Sequence, residues 1–158
     1  MVELQDEERG MLLRHDRGML AVLIALDIAF HGGRGAAVSA ADIAERLCLA
    51  RRGMEPLLQA LARAGVLESL RGPRGGYRLG RSPRDIRLGD ILAAAHEEPD
   101  PPDEFGGDLA GAVVIPLWSE MEAIVGARFA SLTLHDLLHR ATEAGLRRPV
   151  SEAISFAI

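Results

Sequence analysis

The sequence predicts a mainly helical α+β fold: a compact helical body carrying a two-stranded hairpin, followed by one long helix. Three observations predict it. Apolar segments of helical period, with capping residues before them and glycines after them, recur along the chain. Two short β-compatible runs flank the turn Arg71-Gly72-Pro73-Arg74-Gly75-Gly76. An acidic, proline-rich stretch then separates this first part from a long apolar helix.

The elements follow in order. Residues 1–13 read as a polar tail. Residues 14–30 are almost continuously helix-compatible, and Met19, Leu20, Val22, Leu23, Leu26, Ile28 and Phe30 surround the axis. Such a helix is buried on more than one side. Gly32, Gly33 and Gly35 stop it. Ser39-Ala40-Ala41-Asp42 places a hydroxyl at an N-cap and an acid three residues on, so a short helix spans 40–47. A second helix starts between Arg51 and Met54 and runs to Ala64, turning Leu57, Leu58 and Leu61 inward. Gly53 and Pro56 both weaken a helix interior, and proline is tolerated in a first turn. The start is therefore expected near Gly53, with Arg51 and Arg52 left in the preceding turn. Two short helices joined by a tight turn form a helix-turn-helix. Strands at 66–70 and 77–79 make a hairpin directly after it, which is the order of a winged helix. A short helix covers 88–95. The segment HEEPDPPDEFGGD forms a linker within 96–111, and helices fill 112–145. Thr133-Leu134-His135-Asp136 opens the last of them with a second capping box. Residues 146–158 are a tail.

Composition bounds the function. The chain has 158 residues, 48% apolar and 26% charged. That suits one winged-helix domain, residues 14–95, with an extension, and makes extensive disorder unlikely on physical grounds. No uninterrupted apolar run reaches about 18 residues, so a transmembrane helix and membrane partnership are not expected. The acidic opening MVELQDEERG is unlike a secretory leader, so a cytoplasmic location is expected. A single cysteine, Cys48, excludes an intrachain disulfide and any multi-cysteine metal site.

The net charge of −5 is unevenly spread. Residues 1–30 carry −3, residues 31–88 carry +6 and residues 89–158 carry −8. A basic module inside an acidic chain is the electrostatic footprint of a nucleic-acid binder, or else a solvated basic face.

The segments ADIAERLCL, MEPLLQALARAGVLESLRGPRGGYRLGR and IRLGDIL resemble the Rrf-two family of bacterial winged-helix regulators, most specifically across the RGPRGGY wing. AVLIALDIA resembles the family's first helix. The Trp118 helix and SLTLHDLL resemble its dimerisation region more loosely. The resemblance spans residues 14–145 and implies double-stranded DNA as partner. It also implies pairing of two subunits through the long helix.

The residues agree with that chemistry. Arg51, Arg52, Glu55, Gln59 and Arg63 lie on or near the outward face of the second helix of the pair. Arg reads guanine, Gln reads adenine, and Glu accepts from the cytosine amino group. Glu55 matches a recognition-helix Glu of the family; it would equally suit a helix N-terminus. Arg71, Arg74 and Arg78 lie near the wing tip, where an arginine can enter a narrow minor groove. Arg17 is placed to meet a phosphate, and Tyr77 reads as a strand residue packed on the core. The resemblance departs at Gly53, where a tyrosine is common, which puts the base sequence read in question more than DNA binding. On the long helix Leu117, Trp118, Met121, Val125, Phe129 and Leu132 form the expected dimerisation surface.

Several family members hold an iron–sulfur cluster through three cysteines in the loop before the dimerisation helix. Here that loop has none, so no cofactor is expected. Cys48 is either a candidate redox sensor or a small residue in a half-buried turn. His135 and His139 have the i, i+4 spacing of a metal pair or lie on a solvated face. His96, Glu97 and Glu98 read as part of an ordinary acidic loop. The effector is unknown. No nucleophile–base pair, P-loop or dinucleotide fingerprint points to an enzyme. The expected function is a homodimeric, sequence-specific repressor on a palindromic operator. The alternative is a winged-helix protein-interaction module that no longer reads DNA.

Overall fold

The structure, a computed structural model, describes residues 17–96 and 106–149. The expected tails at 1–13 and 150–158, and linker residues 97–105, lie outside the described residues. Helix α1 (Arg17–His31) is central: α2 (Ala40–Arg46), α3 (Arg51–Arg63), α4 (Leu88–Ala95), α6 (Leu134–Glu143) and the hairpin all pack on it. Its Ala21, Ile24, Ala25 and Ile28 are fully buried, which accounts for a helix apolar on more than one side.

One acid interrupts that helix. Asp27 is buried, and the guanidinium of Arg46 on α2 grips both its oxygens, Nε donating to Oδ1 at 2.9 Å and Nη2 to Oδ2 at 2.7 Å. His31 Nδ1 lies 3.3 Å from Oδ1. The hydrogen bond to Asp27 raises the Arg46 pKa above its ordinary value. A carboxylate in the core is tolerated only when paired in this way, and here the pair fastens α2 to α1.

Ser39 caps α2 as expected, its Oγ accepting from the Asp42 N–H at 3.1 Å. Helix α3 departs from expectation. It starts at Arg51 with Ala50 as its N-cap, so Arg51 and Arg52 form its first turn rather than the preceding loop. Gly53 and Pro56 are both helical residues. Together they cost about 4 kcal/mol relative to alanine. Burying Met54, Leu57, Leu58 and Leu61, each at most 1% exposed, contributes about 1.5–3 kcal/mol per side chain. Burial wins. Pro56 removes only the N–H that would reach the Arg52 carbonyl.

The strands are β1 (Leu67–Leu70) and β2 (Gly76–Leu79), antiparallel with Leu67 opposite Leu79 and Leu70 opposite Gly76. The first strand starts one residue later and the second one residue earlier than expected, and both end as expected. The hairpin also gains a partner: Val38 and Tyr77 exchange two backbone hydrogen bonds of 2.8 Å. Gly76 makes this approach possible. At φ +153° it lies where a Cβ would sit 2.4 Å from the Val38 carbonyl oxygen.

Helix α4 has its expected bounds. A π-helical turn, Ala110–Val114, runs into α5 (Ile115–Ser131), and Thr133 caps α6 with the expected reciprocal box to Asp136. Three contacts clamp the C-terminal end of α5 to α4. Leu88 N–H donates to Leu132 O at 2.9 Å, Leu134 N–H to Ile86 O at 2.9 Å, and Arg87 Nη1 to Ala130 O at 3.0 Å. Otherwise α5 extends into solvent with no buried residue. The helical segment Ala110–Ser131 has 22 residues and contains an 18-residue stretch of mean hydropathy 1.3, long and apolar enough to cross a membrane by length and composition. The criterion of an uninterrupted run missed it because Glu120, Glu122 and Arg128 break the apolar sequence.

Candidate nucleic-acid interface

The helix-turn-helix and the wing meet around an open cleft. Ser39, Ala40 and Ala41 at the start of α2, Arg51 and Glu55 on α3, and Ser69, Gly72, Gly75 and Tyr77 of the wing line it. Three segments distant in sequence thus present polar side chains and bare backbone to one space. Helix α3 is sided as a reading helix requires. Arg51, Glu55 and Gln59, four residues apart, form one exposed ridge, with Arg52 beside it, while the opposite face enters the core.

At the wing tip the Gly75 N–H donates to Gly72 O at 2.9 Å, and Gly72 takes φ +108°, closing the loop that projects Arg71 and Arg74. Among the described residues Arg51, Arg52, Arg71 and Arg74 have no hydrogen-bond or ion-pair partner for their side chains. Four guanidinium groups are therefore left to external acceptors. Phosphates and guanine edges suit them, since arginine recognises both bidentately.

The other expected contacts are distributed differently. Arg17 is exposed at the start of α1. Arg78 sits two rungs below the tip and is engaged: its Nε donates to Glu68 Oε2 at 2.8 Å, directly across the strand pair. This hydrogen bond lowers the Glu68 pKa and raises that of Arg78. Tyr77 packs partly buried against the core, as expected. Cys48, in the α2–α3 turn, is exposed rather than half-buried and has φ +53°, the left-handed region that disfavours a side chain.

On α5, Leu117 (49% exposed), Trp118 (61%), Met121 (44%) and Val125 (40%) stand in solvent with Val113, Val114 and Ile124. Phe129 and Leu132 instead pack against the core of the body. The expected surface is thus two regions, an exposed stripe and an anchored base.

The residues do not fit a cysteine-held cluster. Cys48 is the chain's one cysteine, and it lies in the helix-turn-helix. Among the described residues no group of three or more His, Cys, Asp or Glu is gathered as a metal site, and His139 pairs with Glu143 at 3.4 Å.

Comparison with known proteins agrees with this architecture. A family model described as Rrf2, an iron-dependent transcriptional regulator, matches residues 15–140. The HTH-type transcriptional regulator IscR of Photobacterium profundum is 36% identical over 126 residues, covering 77% of this chain and 73% of its own. Among solved structures, T. potens IscR superposes with a TM-score of 0.70 at 32% identity, covering 90% of this chain and 96% of its own. CymR, the global cysteine regulator of B. subtilis, gives 0.66 at 28% identity, covering 82% and 98%.

Proposed function

Because the chain belongs to the Rrf2 family of transcriptional regulators, and is a DNA-binding regulator rather than an enzyme, we propose that it is a homodimeric repressor reading a palindromic operator without a cysteine-held cluster. The observation that carries the DNA reading is the cleft shared by α3 and the wing, with Arg51 in its lining and Arg52, Arg71 and Arg74 on the same two elements, all four without a partner among the described residues. Glu55 and Gln59 supply base preference, with Arg51 and Arg52 at the same helix start. Arg71 and Arg74 meet the flanking backbone or minor groove, and Arg17 a phosphate.

The apolar stripe of α5 supports the homodimer. Trp118, Leu117, Met121 and Val125 stand exposed among the described residues, and a second copy covers such a stripe by two-fold pairing. A lipid environment is disfavoured by Glu120 and Glu122 near the helix centre, since charges there cost several kcal/mol each. Two-fold pairing sets two α3 helices about 34 Å apart, one turn of DNA. The single cysteine in the turn, and the absence of cysteine from the linker, support a regulator that does not use such a cluster. The continuity of α3 through Gly53 and Pro56 supports a DNA-reading helix over the interaction-module alternative.

The test is binding to DNA from upstream of the protein's own gene, against a random duplex of equal length, at two salt concentrations. Tight, salt-sensitive, sequence-preferring binding is expected; equal weak binding to both would overturn the reading. Trp118→Glu is expected to shift the sedimenting species from dimer to monomer, and an unchanged dimer would remove α5 as the interface. A reporter silenced by the protein, and released on its deletion, would establish repression; activation would refute it.

A further inference from the structure

Arg71 and Arg74 differ from Arg78 in one respect. The first two project from the tip with no acceptor among the described residues, whereas Arg78 faces an acid placed opposite it by strand register. Ser69 and Tyr77, the next rung, line the cleft toward α3. Because side chains alternate along a strand, Glu68 and Arg78 occupy the other face of the wing. Both are well exposed, their side chains 49% and 39% accessible, so DNA can approach the pair. The pair lies two residues, about 7 Å, from the rung that closes the tip.

We propose that Glu68 is a positioning residue of the wing: by holding Arg78 across the hairpin it keeps one of three wing cations off the phosphate backbone. The inference rests on the DNA-reading function proposed above and adds a device for tuning it. Each arginine that neutralises a phosphate releases condensed counterions and strengthens binding to every sequence alike. A cation already neutralised by a neighbouring carboxylate contributes little to that term. The pairing therefore restrains non-specific affinity and leaves the base contacts of α3 untouched. This raises the ratio of specific to non-specific binding, which decides occupancy on a long genome.

The experiment measures the slope of log affinity against log salt for full-length wild type, Glu68→Gln, Arg78→Gln and the double variant, on operator and random duplexes. Thermal melting of each variant confirms its fold. Glu68→Gln is expected to steepen the slope by about 0.9, the value of one added phosphate contact, and to raise random-duplex affinity several-fold. Arg78→Gln leaves the Glu68 carboxylate uncompensated and should weaken binding to both duplexes without steepening the slope, and the double variant should return to the wild-type slope. An unchanged slope in Glu68→Gln would overturn the inference. So would a slope flattened by about 0.9 in the double variant, where no charge is left unpaired, because Arg78 would then already contact DNA in the wild type. A wild type without salt-dependent binding would instead overturn the DNA-reading function itself, and this inference with it.

Discussion

Replacing Arg46 with Ala should destabilise the fold far more than loss of an ordinary surface ion pair. An exposed pair contributes about 0–1 kcal/mol. Removing one partner of a buried pair costs about 3–5 kcal/mol, because the remaining charge is left without solvent or partner. The Asp27 side chain is 5% exposed and that of Arg46 31% exposed. The acid end of this pair is therefore in the core and the guanidinium end at the surface. Some water can follow the vacated arginine, which brings the expected loss below that range, to about 2–3 kcal/mol. With a urea dependence of about 2 kcal/mol per molar, that is a midpoint lowered by roughly 1 M. The assay is urea unfolding followed by circular dichroism, at fixed protomer concentration because the proposed dimerisation would shift apparent stability. The double variant Asp27→Asn with Arg46→Ala should recover part of the loss, since a neutral amide is cheaper to bury than an unpaired carboxylate. A loss below about 0.5 kcal/mol for Arg46→Ala would show that the pair behaves as a solvated one. A double variant no more stable than the single would show that the unpaired charge is not the cause.

Three further expectations follow from local geometry. Gly76→Ala should cost about 1–3 kcal/mol, because its Cβ would collide with the Val38 carbonyl oxygen; unchanged unfolding would refute the close approach. Cys48→Gly should stabilise by about 0.5–1 kcal/mol by relieving a left-handed backbone, and a loss on thermal melting would contradict that conformation. The Thr133 backbone N–H and then its hydroxyl hold the Asp136 carboxyl below its usual range. Its stabilisation is thus complete above the ordinary carboxylate pKa of about 3.9 and fades as pH falls through the lower folded value. Wild type and Asp136→Asn should therefore converge in melting temperature on acidification, and a constant gap would refute the assignment.

Local chemistry made much of this fold legible from residues alone. The capping pairs Ser39–Asp42 and Thr133–Asp136 and the turn RGPRGG carry their geometry within four to six residues, and the structure realises each of them. The misreadings arise where distant contacts decide. Helix α3 starts earlier than Gly53 and Pro56 suggest because its buried leucines outweigh them. The Asp27–Arg46 pair joins residues nineteen apart. Its one signal in the sequence was an acid within an otherwise apolar helix, which called for a partner without naming it. The Val38–Tyr77 bridge likewise left no pattern of its own. At the interface, the ridge of α3 followed from helical spacing, whereas the pairing of Arg78 with Glu68 required strand register. On α5, apolar spacing alone did not separate Phe129 and Leu132, which serve the body, from Trp118 and Met121, which do not.

The clamp at the base of α5 has a mechanical consequence. Among the described residues the helical segment is held near residues 129–132, and its other end, Ala110, lies about 29 Å from Phe129 at 1.5 Å per residue. It is a lever with a short anchored end. A tilt of about 5° at the anchor displaces the far end by about 3 Å over that length. The hydrogen bonds among Ile86, Leu88, Leu132 and Leu134 therefore act as a fulcrum, and small adjustments there become displacements of about 3 Å at the far end of the helix.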